Sequence, residues 1–463
     1  MPITSSFSGA SARALGLTSS GFTAIGNGYW INRTSKANTN VYSYAKSMAV
    51  DSSGNMYYAG YSYAYPGGTD YSQNLVKYNS SGEIVWQRSL DASGIVDAAY
   101  SVSLDSSGNV YIFGSGTANS YGTYVKFNSS GVLQWQKRLT DSFIYVFPQD
   151  STVDSSGNLY LSGITYNNTT NTFDATVIKF DSSGNITWQR RAYTNNQDTF
   201  NGIALDSSNN VYLCGSSGTF GGILKGIVFK YNSSGSLQWQ REFSAPDTID
   251  SQSIACDSAG AVYVASFYSD SSGGAKFGSL IKYNSSGVLQ WQTKTTYAAY
   301  PVSGSTNTNS LSLALDSSDN IYVISTSSQY TTSGGTSYGS PNLIQKFNSS
   351  GTQQWARNFN LDNYIGIGNA TIAINGDNYY IYFTAAFGAA VSTLGAKLPT
   401  DGSKTGNYTV GPVNVTYNAV TTTVTSGTLT EAAGGLTDTA GSITSSSASL
   451  TDTANNLTVT IRD

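Results

Sequence analysis

Residues 50–60 read VDSSGNMYYAG, a polar DSSGN cluster set between alternating apolar positions. Alternation is the period of a half-buried strand, and Asp, Ser, Gly and Asn supply a tight turn, so the stretch predicts a hairpin. The hairpin recurs as LDSSGNVYIFG (104–114), VDSSGNLYLSG (153–163), LDSSNNVYLCG (205–215), CDSAGAVYVAS (256–266), LDSSDNIYVIS (315–325) and, degenerate, INGDNYYIYFT (374–384). A second hairpin alternates with it: VKYNSSGEIVWQR (76–88), VKFNSSGVLQWQK (125–137), IKFDSSGNITWQR (178–190), FKYNSSGSLQWQR (229–241), IKYNSSGVLQWQT (281–293) and QKFNSSGTQQWAR (345–357).

Two hairpins per unit give four short antiparallel strands, and one such unit cannot bury both of its faces. Stacked radially, each sheet covers its neighbour, which predicts an all-β propeller. The tryptophans count the blades. Trp86, Trp135, Trp188, Trp239, Trp291 and Trp355 fall on the last strand of a unit, while Trp30, in GYWINR (28–33), precedes any first hairpin. The last unit has its first hairpin at 374–384, but its second half, AKLPTDGSKTGNYTV (396–410), has no Trp. The expectation is a seven-bladed ring over 28–411, closed by strand 28–33 pairing with the last blade, which removes two exposed edges.

These units resemble the repeats of NHL-like and SBBP-type β-propeller proteins, in which a VDSSGNVY-type hairpin precedes a VKYNSSG-type one. That resemblance implies the fold and no activity. Flanking the ring are an N-terminal arm, 1–27, and a C-terminal segment, 412–463. The latter opens with an alternating strand and continues as LTEAAGG, LTDTAGS, ITSSSAS, LTDTANN and LTVTIRD, with Leu429, Leu436, Ile443, Leu450 and Leu457 at a strict period of seven. A heptad of that kind predicts a thin coiled coil. Thr, Ser and Gly are poor helix formers, so a stack of short strands competes. Either form suits association or anchoring. KLPTDGSKTGNYTVG with its LTDTAG repeats, and SFSGASARALGL in the arm, resemble the ends of structural proteins of marine tailed bacteriophages. The resemblance implies a virion component; an arm and a tail flanking a ring suit a subunit tied to others through 1–27 and 412–463, and the heptads point to a homo-oligomer or many copies.

Composition narrows the chemistry. A net charge of -4 without basic blocks offers a nucleic-acid backbone nothing to bind, and no histidine is present to serve as base or metal ligand. No charged and apolar leader opens the chain, and no apolar run reaches the ~18 residues of a membrane helix. Cys214 and Cys256 replace small apolar residues in strand patterns and read as free thiols. The DSSGN turns lack the further carboxylates of a calcium loop. No metal and no cofactor is expected. Lys77, Lys126, Lys179, Lys230, Lys282 and Lys346 recur once per unit, as struts between blades or solvated edges.

What does not repeat is the connections on the face opposite the short turns, such as 61–74, 165–176, 266–279, 295–310, 325–342 and 358–371, rich in Tyr, Ser, Gly and Asn. Tyr gives wide contact at low entropic cost, and Ser, Gly and Asn adapt their hydrogen bonds, a mixture suited to binding. The candidate binding residues are Tyr63, Tyr65, Tyr71, Tyr121, Tyr166, Tyr268, Tyr297, Tyr300, Tyr330, Tyr338 and Tyr364. The expected function is a non-enzymatic structural and adhesion protein of a virion, binding a partner protein or a host surface glycan. Two alternatives stay open. One is a polysaccharide-active enzyme using a carboxylate pair from Asp70, Asp174, Asp247 and Asp250; the other is a purely structural decoration.

Overall fold

The structure, a computed structural model, describes residues 17–36, 41–64, 71–91, 98–116, 121–140, 144–167, 172–193, 197–218, 222–244, 248–269, 276–296, 308–327, 330–331, 337–338, 342–361, 367–387, 390–410, 413–419, 423–426, 444–446, 451–454 and 458–462. Every regular element among them is a strand. Val41–Val50, Met56–Ala64, Tyr71–Tyr78 and Ile84–Asp91 pair in that order as a four-stranded antiparallel sheet. Ile249–Cys256, Val262–Ser269, Lys276–Tyr283 and Leu289–Thr296 repeat the arrangement. The first strands lie side by side in a closed circle. From Val41–Val50 it passes to Ala98–Leu104, Ile144–Val153, Gln197–Leu205, Ile249–Cys256, Thr308–Leu315, Ile367–Asn375 and back to Val41–Val50. The fold is an all-β propeller.

Tyr29–Lys36 pairs antiparallel with Ala390–Pro399. The sheet that begins with Ile367–Asn375 therefore takes a strand from the other end of the chain. Trp30 faces Lys397, and Lys397 faces Tyr380. This is the cross-strand trio of the other sheets, where Trp86 faces Lys77 and Lys77 faces Tyr57. Of the arm, 1–16 lies outside the described residues, while Leu17–Gly26 is a strand along Tyr29–Lys36.

The repeated polar residues are spent on the scaffold. Asp51 Oδ1 accepts the N–H groups of Ser53 and Asn55 at 3.0 and 2.9 Å, and its Oδ2 accepts the Asn55 amide at 2.8 Å and the Tyr57 hydroxyl at 3.2 Å. Asp105, Asp154, Asp206 and Asp316 make the same turn. These carboxylates are Asx-turn acceptors. Lys77 Nζ lies 5.0 Å from the Tyr57 ring centroid and donates to the Ser129 carbonyl of the next sheet at 3.3 Å. Lys230 does the same with Tyr212 and Ser285, so the recurring lysines are struts between sheets.

The second turn docks under the tryptophan of the preceding sheet. Trp188 Nε1 donates to the Ser233 carbonyl at 3.1 Å and Arg190 Nε to the Gly235 carbonyl at 2.7 Å. Trp30 and Asn32 hold the turn at 80–82 in the same way, the first through Ser80 and the second through Gly82. Where the NSSG sequence is missing, Trp355 and Arg357 grip the carbonyls of Thr400 and Gly402 instead.

The C-terminal segment runs backwards around the rim. Val413–Ala419 pairs with Gln353–Leu361 and Thr423–Ser426 with Leu289–Thr296. Thr444–Ser446 then pairs with Ile186–Tyr193, Thr451–Ala454 with Leu133–Thr140, and Thr458–Arg462 with Ile84–Asp91. These three strands begin one heptad apart, each advanced by one sheet. The seven-residue period thus coincides with the spacing along the chain of successive rim strands. The coiled-coil expectation gives way to strands in the described parts, because Thr and Ser at alternating positions suit an edge better than a helix. Residues 427–443, with Leu429 and Leu436, lie outside the described residues.

Candidate binding face and central channel

Of the tyrosines expected to bind, Tyr65, Tyr297, Tyr300 and Tyr364 lie outside the described residues. Tyr121, Tyr268, Tyr330 and Tyr338 are placed on strands. Tyr63, Tyr71 and Tyr166 are half-buried. Tyr166 packs on Phe173 of its own sheet, ring centroids 4.8 Å apart.

Tyr63 and Tyr71 belong to a cluster. Their centroids are 4.6 Å apart, Tyr44 stacks on Tyr61 at 5.0 Å and on Tyr63 at 5.9 Å, and Tyr61 lies 5.6 Å from Tyr71. All four stand at the strand ends remote from the short turns at 51–54 and 79–82. Lys46 Nζ sits between the Tyr61 and Tyr100 rings, 5.8 and 5.6 Å from their centroids. Burial pushes the Tyr61 hydroxyl up to about 12, with the neighbouring Tyr100, Tyr63 and Tyr71 adding to it. The same burial lowers Lys46 from the usual lysine value. Lys46 and the two rings form a cation–π arrangement.

Lys46 and Tyr100 also line the central channel, a cavity of about 340 Å³. Register shifts fall between Ala45 and Ser47, Ala99 and Ser101, Pro148 and Asp150, Phe200 and Gly202, and Ser251 and Ser253. The extra residues are Lys46, Tyr100, Gln149, Asn201 and Gln252, and all five line the cavity. A bulge re-aims its extra side chain, so the shifts explain how an inner strand presents polar groups to the axis. The next residue bonds the neighbouring strand, with Ser47 Oγ accepting the Val102 N–H at 3.2 Å and Ser253 Oγ that of Leu313 at 3.2 Å; Ser312 Oγ, four residues before Asp316 as Ser47 is before Asp51, accepts that of Ile372 at 3.3 Å.

Asp150 takes this stitching position in its strand. Its Oδ2 accepts the Ile203 N–H at 3.3 Å, and its Oδ1 accepts Ser151 N–H at 2.8 Å and Ser101 Oγ at 3.2 Å. Burial outweighs these donors and pushes the carboxyl from 3.8 up to about 6. Because the folded value is raised, the stability Asp150 contributes is complete below about pH 4 and lost as pH rises through 6. The parent is therefore expected to lose about 1–2 kcal/mol of stability between pH 4 and pH 7.5, a pH dependence that Asp150→Asn, which cannot ionise but turns an NH2 group toward one of the two backbone donors, is expected to lack. Denaturant midpoints at the two pH values measure this; a pH-independent difference contradicts it.

Among the other carboxylates, Asp70 and Asp247 lie outside the described residues. Asp174 is buried beside Arg191 at 3.4 Å, and Asp250 accepts the Asn201 amide at 3.0 Å. They stand on the third strand of one sheet and the first strand of another. Both cysteines are free thiols; Cys214 is buried, and burial pushes both thiols up, Cys256 to about 12.

The family model described as outer membrane protein assembly factor BamB matches residues 72–327. The chain belongs to that family. BamB-family membership agrees with the propeller, and the resemblance to NHL-like repeats reduces to the shared repeat fold. No curated protein matches the chain. Among solved structures, a puromycin hydrolase S511A mutant is similar at 9% identity and TM-score 0.44, over 74% of this chain and 50% of that one. The β-propeller domain of the trilobed protease from Pyrococcus furiosus is similar at 8% identity and TM-score 0.42, over 78% and 95%. A Trypanosoma rangeli sialidase is similar at 10% identity and TM-score 0.36, over 79% and 56%. The chain spans half the length of the first.

Sequence reasoning missed Tyr44, Tyr61, Tyr100, Lys46 and Asp150. Tyr61 was within reach, since it lies two residues before Tyr63 on the same strand face. So was Asp150: counting four residues back from each DSSG aspartate gives Ser47, Ser101, Asp150, Gly202, Ser253 and Ser312, and one is a carboxylate.

Proposed function

We propose that the chain is a non-enzymatic structural and adhesion protein of a virion, such as a tail fibre, appendage or capsid decoration. It presents its Tyr-rich face to a partner protein or host surface glycan. We read the ring as seven-bladed, supported by the closed circle of first strands and by Trp30 in the place of a last-strand tryptophan. The observation that carries the functional reading is the cluster of Tyr44, Tyr61, Tyr63 and Tyr71 beside Lys46 at the channel. Aromatic side chains gathered on a rigid ring dominate binding energies elsewhere. Membership of a family named for an assembly factor supports work by contact with other macromolecules.

The Tyr61→Ser, Tyr71→Ser double variant tests the binding face. Its affinity for intact host cells is expected to fall at least about tenfold, the cost of losing a hot spot, while the strand circular-dichroism signal and a cooperative unfolding transition are retained at a melting temperature lowered by the lost ring packing. Undiminished adhesion sinks the assignment. Electron microscopy of particles labelled with antibody against the chain tests the virion placement, and unlabelled particles overturn it.

One observation favours polysaccharide cleavage instead: Asp150, pushed up to about 6 at the channel wall, has the proton affinity of a general acid. Release of oligosaccharides from host polysaccharide by the parent chain, lost in Asp150→Asn, would replace the non-enzymatic reading.

A further inference from the structure

The channel wall is of mixed chemistry. Lys46, Tyr100, Gln149, Asn201 and Gln252 present one ammonium, one phenol and three amides. Leu311 and Ala370, which complete the circle, are apolar. Ser312 and Thr371 stand beside them and Met48 and Ile254 line the cavity too, so amides and hydroxyls alternate with hydrocarbon around the wall, a lining that suits a pyranose, whose hydroxyls radiate from a ring with apolar C–H faces. The wall is preorganised: Asn201 Nδ2 is held by Asp250 Oδ1 at 3.0 Å and the Ser251 carbonyl at 2.9 Å. Thr371 Oγ1, which lines the same cavity, has no hydrogen-bond partner among the described residues. At about 340 Å³ the cavity is in the range of small-ligand sites, about 300–1,000 Å³.

Charge narrows the ligand further. Among the described residues no carboxylate lies within ion-pair distance of Lys46, whose half-buried side chain lies between the Tyr61 and Tyr100 rings. A half-buried cation at a cavity wall gains a charge-assisted partner when a ligand anion reaches it. Asp150 lines the cavity as well, and it is committed to the Ile203 and Ser151 N–H groups.

Resting on the binding reading above, we propose that the central channel receives the end of an acidic glycan. A uronic-acid carboxylate pairs with Lys46, the hydroxyls bond Gln149, Asn201 and Gln252, and the C–H face meets the part of Leu311 that reaches the cavity. The tyrosine cluster at the mouth then carries the following sugars.

Calorimetric titration of the full chain with trigalacturonate, galactotriose and triglutamate tests this. The parent is expected to bind trigalacturonate at least ten times more tightly than either other probe, with the preference shrinking at high salt. Lys46→Met, and Lys46→Gln as a second variant should the first fail to fold, are expected to abolish the preference for the charged sugar. Leu311→Asn is expected to weaken trigalacturonate and galactotriose alike. Equal binding of the two sugars, an unchanged preference in both Lys46 variants, or triglutamate binding as tightly as trigalacturonate overturns the proposal. The Tyr61→Ser, Tyr71→Ser variant separates the two readings. Loss of cell adhesion in that variant, with no trigalacturonate bound by the parent, leaves the face standing and removes the channel site.

Discussion

Replacing Gly235 with asparagine is expected to destabilise the protein by about 3 kcal/mol or more, while the same replacement at Gly108 costs under about 1 kcal/mol. Both glycines have positive φ, +79° and +75°. Positive φ alone does not demand glycine here, because Asn209 and Asp319 hold φ of 60° and 59° in the DSSG-type turns of their own sheets. What differs is the neighbour. A Cβ on Gly108 meets Ser129 Cβ at 3.4 Å, whereas one on Gly235 meets Trp188 Cδ2 at 2.7 Å. The indole cannot retreat without giving up its bond to Ser233, nor the turn without releasing Arg190. Displacing a ring of that size from a close-packed interface, together with two hydrogen bonds, sets the larger figure. The NSSG-type turns keep glycine at Gly82, Gly131, Gly184, Gly235, Gly287 and Gly351, each against a tryptophan of the preceding sheet. Urea midpoints of the two variants decide the matter. Similar losses mean that turn conformation, and not docking under tryptophan, selects glycine.

That contrast also shows which parts of the molecule were legible. A hairpin writes its turn and alternation locally, so the sheets followed from a few residues at a time. Trp30 was readable because the odd copy of a repeat must be used somewhere. The channel set was hidden, since a bulge is a slip of register between two strands. Nothing in AKSM (45–48) or PQDS (148–151) announces that Lys46 or Gln149 is the extra residue. The tyrosine cluster was half visible: Tyr63 and Tyr71 lie in the variable stretch, but Tyr44 joins them only through strand pairing. The heptads carried a true period with an ambiguous cause. Seven residues make two helical turns or one strand-and-turn step, and composition left both open.

A chain ending at residue 442 is expected to fold and to self-associate. The deletion removes Thr444–Ser446, Thr451–Ala454 and Thr458–Arg462, which pair with the outer strands Ile186–Tyr193, Leu133–Thr140 and Ile84–Asp91. Each pairing involves only a few residues, whereas every core cluster is built from side chains that precede residue 418. The melting temperature is therefore expected to fall by only a few degrees. The outer strands, however, become open edges with unpaired N–H and C=O groups, a template for another chain. Val85, 50% exposed on Ile84–Asp91, sharpens the hazard. Amide exchange across Ile84–Asp91 is expected to accelerate at least tenfold in dilute solution, and light scattering to rise with concentration. A peptide spanning 444–462 added in trans is expected to reverse both. A truncated chain that stays monomeric with unchanged exchange along these strands would show that the rim belt protects nothing, and that the heptads serve a contact outside this chain.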